Sequence, residues 1–311
     1  MKRILSLILS VLMLVLFCTA CGGAGEMNET QNTTAATVDP NKPLSDGKTL
    51  KVLAIGNSFS NNTTQYLYDV AKAEGMTDVV IGRLYISGCT LALHVANAKE
   101  NKPAYIYYKN DSGKWNQMES ATLLYALQDE QWDIITLQQG SGTSGMADTY
   151  SESIDALITY VNENKTNPNA QLVWHMTWAY QEGSTNPAFP RYDSNQMTMY
   201  NAIVNAVQKV IVPHQQIHSI IPVGTAIQNA RTSFIGDNLT KDTYHLNVMG
   251  DVIGAYTWYA VFTGKTLENI NLTDVGGVLT LTDNDKAASI DAINAAIKTP
   301  FAVTQSSVTS N

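Results

Sequence analysis

The sequence is short of basic charge and of cysteine, and it has no long apolar run outside its first residues. Each shortage excludes a class of protein. Its 19 Lys and Arg face 27 Asp and Glu, a net charge of −8, so the broad basic surface that nucleic-acid binding requires is missing. Three cysteines cannot staple a disulfide scaffold, and two of them, Cys18 and Cys21, lie near the N-terminus, which leaves Cys89 without a mate. Charged residues make up 15% of the chain and hydrophobic ones 44%. That balance excludes a disordered, collagen-like or coiled-coil chain and permits a sizeable core.

What is present begins with an address. Lys2 and Arg3 precede an apolar run over residues 4–17 broken only by Ser6 and Ser10, and small residues follow at Thr19 and Ala20. This is the pattern of a secretory signal, and the run is shorter than the roughly 20 residues a spanning helix needs. Cys18-Thr19-Ala20-Cys21-Gly22-Gly23 resembles a bacterial lipobox. The resemblance implies cleavage after residue 20, lipidation of Cys21 by palmitate-type chains, and an exported lipoprotein anchored to the membrane and facing outside the cytoplasm. Cleavage would remove Lys2 and Arg3 and leave 17 basic against 27 acidic side chains. Residues 22–48 carry no aromatic side chain and only Met27, Val38 and Leu44 as large apolar ones. They cannot offset their ordering entropy and are expected to form a flexible tether.

From residue 49 the hydrophobic pattern alternates between strand and helix. Strands are expected over residues 50–55, 78–86, 132–137, 171–178 and 217–223. Helices are expected over residues 63–74, 151–162, 197–212 (stopped by Pro213) and 247–263 (followed by Gly264). Such alternation predicts a three-layer α/β/α fold around a doubly wound, mostly parallel five-stranded sheet. Tyr105-Ile106-Tyr107-Tyr108 and Lys114-Trp115 flank Asn110-Asp111-Ser112-Gly113, which reads as a β-hairpin insertion whose aromatics border a site. No linker-like composition divides residues 49–264, so they form one domain. Residues 265–311 read as an extension with a short strand near 278–281, a helix over 285–297 and a frayed tail from Gln305.

In a doubly wound sheet, ligands lie beyond the carboxyl ends of the strands. The first such loop is Gly56-Asn57-Ser58-Phe59-Ser60. A serine there sits among unpaired N–H groups that favour a nearby oxyanion, although Ser58 or Ser60 in that place also suits a helix cap. A nucleophilic serine needs a base, and the base needs an orienter. Of His94, His175, His214, His218 and His245, only His245 has a carboxylate three residues earlier in a loop, in Asp242-Thr243-Tyr244-His245.

Together the two loops resemble the SGNH hydrolase (GDSL-like lipase and acylhydrolase) superfamily, over about residues 50–264. Gly56-Asn57-Ser58 matches its nucleophile block, and Asp242 with His245 its closing block. The resemblance implies a flavodoxin-like fold and ester hydrolysis through an acyl-enzyme with Ser58, Asp242 and His245 catalytic and no cofactor or metal. It also implies an oxyanion hole made by Ser58, by Gly88 in Tyr85-Ile86-Ser87-Gly88-Cys89, and by a third-block side chain. In that third block the chain departs from Gly-x-Asn-Asp: it has Leu137-Gln138-Gln139-Gly140-Ser141. The donor is assigned to Gln139, with Gln138 next, since strand alternation lets only one face the site. Trp178 and Tyr180, at the end of the fourth strand, are expected to line the substrate pocket.

Other motifs carry less. Gly140-Ser141-Gly142-Thr143-Ser144-Gly145 matches a dinucleotide fingerprint in letters, but it does not follow the first strand of its unit or open directly into a helix. Thr263-Gly264-Lys265-Thr266 lacks the first glycine of a phosphate loop, since Tyr259 stands there. His214 and His218 are joined by no ligand cluster, and Cys89 has no basic partner to activate it. The expected substrate is a small or glycan ester, with acetylated carbohydrate leading. The alternative is a lipid-anchored protein of the same fold that binds a carbohydrate or other ligand without turnover.

Overall fold

The computed structural model of the chain describes residues 43–308. The signal segment, Cys18, the expected lipidation site Cys21 and most of the expected tether lie outside the described residues. Five strands, β1 (Thr49–Gly56), β2 (Asp78–Tyr85), β5 (Ile134–Leu137), β6 (Gln171–His175) and β7 (Ser219–Ile221), pair in parallel in the order β2-β1-β5-β6-β7. This is the doubly wound arrangement expected, and the chain direction of build-up reverses between β1 and β5. The expected hairpin is present as β3 (Tyr105–Asn110) and β4 (Asn116–Ala121). They add antiparallel to the edge at β2 and make the sheet seven-stranded.

The near-continuous burial of β1 and β5 follows from their apolar, β-branched runs covered on both faces. One group of mutually packed helices is α1 (Ser58–Thr64), α2 (Leu67–Ala73), α7 (Val223–Ala230), α8 (Val248–Thr263) and α9 (Asp283–Lys298). The other is built on α3 (Leu91–Lys99), α4 (Leu123–Gln128) and α5 (Ser151–Asn164). The helix α6 (Gln196–Ala206) continues into a π-helical turn, Val207–Ile211, just before Pro213.

Short polar side chains fix where the helices begin. Thr90, Thr122 and Asn195 accept from the backbone N–H three residues on at α3, α4 and α6, and Thr282 with Asp285 forms a full capping box on α9. Asn247 caps α8, and Gly264, at φ 64°, ends it in the left-handed conformation that favours glycine.

Both ends of the domain extend beyond the expected limits. Leu44 and Ser45 each donate a backbone N–H to Phe262 O at 2.9 Å, so the expected tether ends before residue 48. Near the other end, Ser306 and Ser307, within the segment expected to fray from Gln305, hydrogen-bond to the Asp291 carboxylate. The strand expected near 278–281 is half of a small ladder, β8 (Asp274–Val275) with β9 (Leu279–Thr280).

Register places the functional loops. Gly56 lies opposite Tyr85, Ile55 opposite Leu137, and Leu137 opposite Trp174. The loops after β1, β2, β5 and β6 therefore leave the sheet at one end. Helix α8 reaches that end because it packs directly on α1: a Cβ built on Gly254 would lie 2.8 Å from Thr63 Cγ2. Gly254→Leu is therefore expected to destabilise the fold by about 1–3 kcal/mol. Thermal unfolding checks it, the expected outcome being a Tm lower by several degrees.

Candidate active site

Ser58 is the first residue of α1, so the ladder of that helix leaves its backbone N–H unused. Its Oγ lies 2.8 Å from His245 Nε2, and His245 Nδ1 lies 2.7 Å from Asp242 Oδ2. The other carboxylate oxygen of Asp242 accepts the His245 backbone N–H at 2.7 Å and that of Tyr244 at 3.3 Å. One carboxylate thus holds both the ring and the turn that carries it. Because Asp242 can only accept, Nδ1 bears the proton and Nε2 presents a lone pair to the serine hydroxyl. The three residues expected from the sequence form one continuous relay.

The turn between Asp242 and His245 is strained. Thr243 has φ 76°, a region that β-branched residues avoid. It is held there by a 2.8 Å hydrogen bond between its Oγ1 and Ser184 Oγ and by Gln181 N–H donating to its carbonyl at 2.8 Å. Lys241 N–H to His245 O at 2.9 Å and the bridge between Thr240 and Leu246 close the base of the loop.

Asn57 organises the other half of the site. Phe59 N–H is only a donor, so Asn57 Oδ1 faces it, at 2.9 Å, and Asn57 Nδ2 therefore faces Cys89 O, at 3.0 Å. The same Oδ1 accepts from Gln138 Nε2 at 2.8 Å, which turns Gln138 Oε1 toward His175 Nδ1 at 2.9 Å. His175 consequently carries its proton on Nδ1. This chain of bonds corrects the assignment of the third oxyanion donor. Gln138 is committed to Asn57 and His175. Gln139 donates both amide hydrogens to Thr149, to O at 3.1 Å and Oγ1 at 3.0 Å, while its Oε1 accepts from Leu91 and Gly140 N–H. Both glutamines are 1% exposed and act as struts between loops. Sequence spacing could not reveal this, because an amide's partners depend on loops that are remote in the chain.

Gly88 is exposed, at φ 63°, in a turn closed by Cys89 N–H to Ile86 O at 3.2 Å, and glycine suits its third position. The Asn57 bond to Cys89 O keeps this turn beside the one that holds Ser58. Neither serine caps α1: Asn57 does, by accepting from Phe59 N–H, while Ser60 is buried and its Oγ donates back to Asn57 O at 2.8 Å. Cys89 is buried, and burial pushes its thiol up to about 12, which leaves it inert at neutral pH. The glycines of the Gly140 to Gly145 run serve packing: a Cβ on Gly142 would meet Ala188 at 2.8 Å, and one on Gly145 would meet Ala202 and Tyr192 at 2.7 Å. His214 pairs with Asp155 at 2.8 Å.

Trp178 and Tyr180 do not line the pocket as expected, being 0% and 1% exposed. Trp178 stacks on Phe59, with centroids 4.0 Å apart and planes 2° from parallel, and its Nε1 donates to Tyr244 O at 2.8 Å. It thereby joins the residue after Ser58 to the residue before His245. Tyr180 shares a 3.0 Å hydrogen bond with Ser141. The cavity that contains Ser58 and His245 is bordered instead by polar residues of α1, by Tyr66 and by Lys241, Leu246, Asn247 and Val248 around the start of α8, with a volume of about 490 Å³. Gln65 lines it, and Trp115 of the hairpin donates to Gln65 O at 3.3 Å.

Burial would raise the Asp242 carboxyl, but the His245 ring and the backbone N–H donors outweigh it and hold Asp242 below its ordinary value. Asp251, 7% exposed, is pushed up to about 8 by burial even though Asn62 donates to it at 2.7 Å. Burial lowers His94 to about 4 and His175 to about 3. Between pH 6.5 and 8, unfolding releases the Asp251 proton, so stability falls as pH rises. Below 6.5, unfolding lets the two histidines take up protons, so stability falls as pH drops. The Tm is expected to peak near pH 6.5, and Asp251→Asn is expected to flatten the alkaline side and to steepen the acid side, because the Asp251 contribution continues below pH 6.5; melting curves across pH 5–8.5 check both.

Comparison with curated proteins finds no match. A family model described as a domain of unknown function, DUF4886, matches residues 51–278. Among solved structures, the chain is similar to a DUF4886 family protein from Bacteroides uniformis, with 42% identity and a TM-score of 0.77 over 83% of this chain and 98% of that one. It is also similar, at 19% identity and a TM-score of 0.47, to a Slackia heliotrinireducens protein assigned to the SGNH hydrolases, over 70% of this chain and 100% of that one. At 14% identity and a TM-score of 0.44 it is similar to an acetylxylan esterase from Geobacillus stearothermophilus, over 70% and 95% of the two chains. With the family match running from the first strand through the closing helix to residue 278, the chain belongs to the DUF4886 family.

Proposed function

We propose that this protein is a serine hydrolase that cleaves carboxylic esters through an acyl-enzyme, with acetyl groups on carbohydrate as its substrates. We place it outside the cytoplasm, held to the membrane through Cys21. The observation that carries the enzymatic reading is the relay from Ser58 Oγ to His245 Nε2 at 2.8 Å and from His245 Nδ1 to Asp242 at 2.7 Å. The lipobox-like Cys18 to Gly23 segment supports the anchor.

In this mechanism His245 Nε2 removes the hydroxyl proton as Ser58 Oγ attacks the ester carbonyl. The imidazolium that forms is stabilised by Asp242, which stays ionised because its hydrogen bonds keep its affinity for protons low. The unused N–H of Ser58 and the N–H of Gly88 receive the oxyanion. Such donors are worth about 3–4 kcal/mol each. His245 then returns the proton to the departing alkoxide, and water repeats the cycle on the acyl-enzyme. With Trp178 and Tyr180 in the core, the alternative of a tethered binding protein loses the aromatic surface it relied on.

The test is hydrolysis of p-nitrophenyl acetate. Ser58→Ala is expected to lower kcat/KM by at least about 10³-fold, and Asp242→Asn by up to about 10⁴-fold. Undiminished turnover in Ser58→Ala would remove the proposed nucleophile.

A further inference from the structure

The cavity of about 490 Å³ that holds Ser58 and His245 is walled by Asn61, Asn62, Lys241 and Asp251 among others. Since His245 must hand its proton to the leaving oxygen, the alcohol half of an ester lies on the His245 side of Ser58, where this cavity is. Tyr66, Leu246 and Val248 give the wall an apolar part, and the amides of Asn61 and Asn62 with Lys241 give it a part suited to hydroxyl groups. The amide oxygens of Asn61 and Asn62 are buried and have no hydrogen-bond partner among the described residues, and an acceptor left without a donor in a buried place is costly. Asn62 cannot relieve this by turning its amide over, because its Nδ2 already donates to Leu246 O at 3.2 Å and to Asp251 Oδ1 at 2.7 Å. Burial raises the Asp251 carboxyl to about 8, which reduces the negative charge of the inner wall at neutral pH. Lys241 is exposed and supplies a cationic donor.

We propose that this cavity is the subsite for the alcohol half of the substrate. It selects a polyhydroxylated alcohol that retains free hydroxyl groups beside the ester, with Asn61 and Asn62 accepting from those hydroxyls and Lys241 donating to them. The inference rests on the esterase reading above and narrows it: the preferred substrate is a partly acetylated sugar, since a fully acetylated one has no hydroxyl to give the two amides.

The experiment measures acetate release by the full chain from 6-O-acetylglucose, glucose pentaacetate and p-nitrophenyl acetate. Wild type is expected to show kcat/KM at least about tenfold higher, per acetyl group, for 6-O-acetylglucose than for the pentaacetate. Asn61→Ala and Lys241→Ala, with Tm checked to confirm folding, are each expected to lower kcat/KM for 6-O-acetylglucose about tenfold, mainly through KM. Their loss on p-nitrophenyl acetate is expected to be several-fold smaller. A preference for the pentaacetate, or equal losses on all three substrates, overturns the subsite while leaving the esterase in place. A wild type inactive on all three overturns the esterase reading instead. The cavity is then judged by calorimetry with glucose: binding that Asn61→Ala abolishes supports a polyol site, and no binding overturns it.

Discussion

Asn57 is 1% exposed and makes three side-chain hydrogen bonds, to Phe59 N–H, to Cys89 O and from Gln138 Nε2. Through them the loops after β1, β2 and β5 become one rigid unit, and Gln138 extends it to His175 at the end of β6. A buried amide is costly unless its groups are satisfied, and here its partners come from these loops. The same condition that keeps the network stable holds the backbone at Ser58 and Gly88 in place, so no loop has to be ordered when chemistry begins.

The second half of the site reaches the first from the opposite end of the domain, and its placement depends on packing as much as on polarity. Gly254 lets α8 approach α1 closely, and the stacked Phe59 and Trp178 rings tie the serine's neighbour to the carbonyl of Tyr244. Within that frame the turn carrying His245 keeps a left-handed threonine. Such strain persists where the surroundings over-determine it, and Ser184 and Gln181 provide that constraint. Specificity enters through the polar wall of α1, one helical turn beyond the nucleophile.

Much of this architecture is legible in the sequence. Ser58, His245 and Asp242 can be found there because each block is local: a serine after a buried strand, and an acid three residues before a histidine. The parallel core of the sheet follows from apolar runs of strand length. Helices α3, α4 and α7 leave no such trace. The first two are short, and α7 spans only Val223–Ala230, too few residues for its pattern to be told from an extension of the apolar run of β7. The hairpin is recognisable by its turn, but its union with β2 depends on long-range pairing that no local signal encodes. Trp178 and Tyr180 read as pocket residues because aromatic rings suit ligands and cores equally; burial alone distinguishes the two.

The sequence by itself determined the periodicities, the turn chemistry and the two local blocks that hold Ser58, Asp242 and His245, because these depend on neighbours within a few residues. The tertiary structure decided which polar side chains were satisfied and which were not. Gln138, Gln139, Asn61 and Asn62 are all amides of the same kinds of atoms, yet the glutamines are satisfied by loops remote in the chain, while Asn61 and Asn62 each keep an oxygen without a partner among the described residues. A hydrogen bond is a property of two groups and the distance between them, and that distance exists only once the chain has folded.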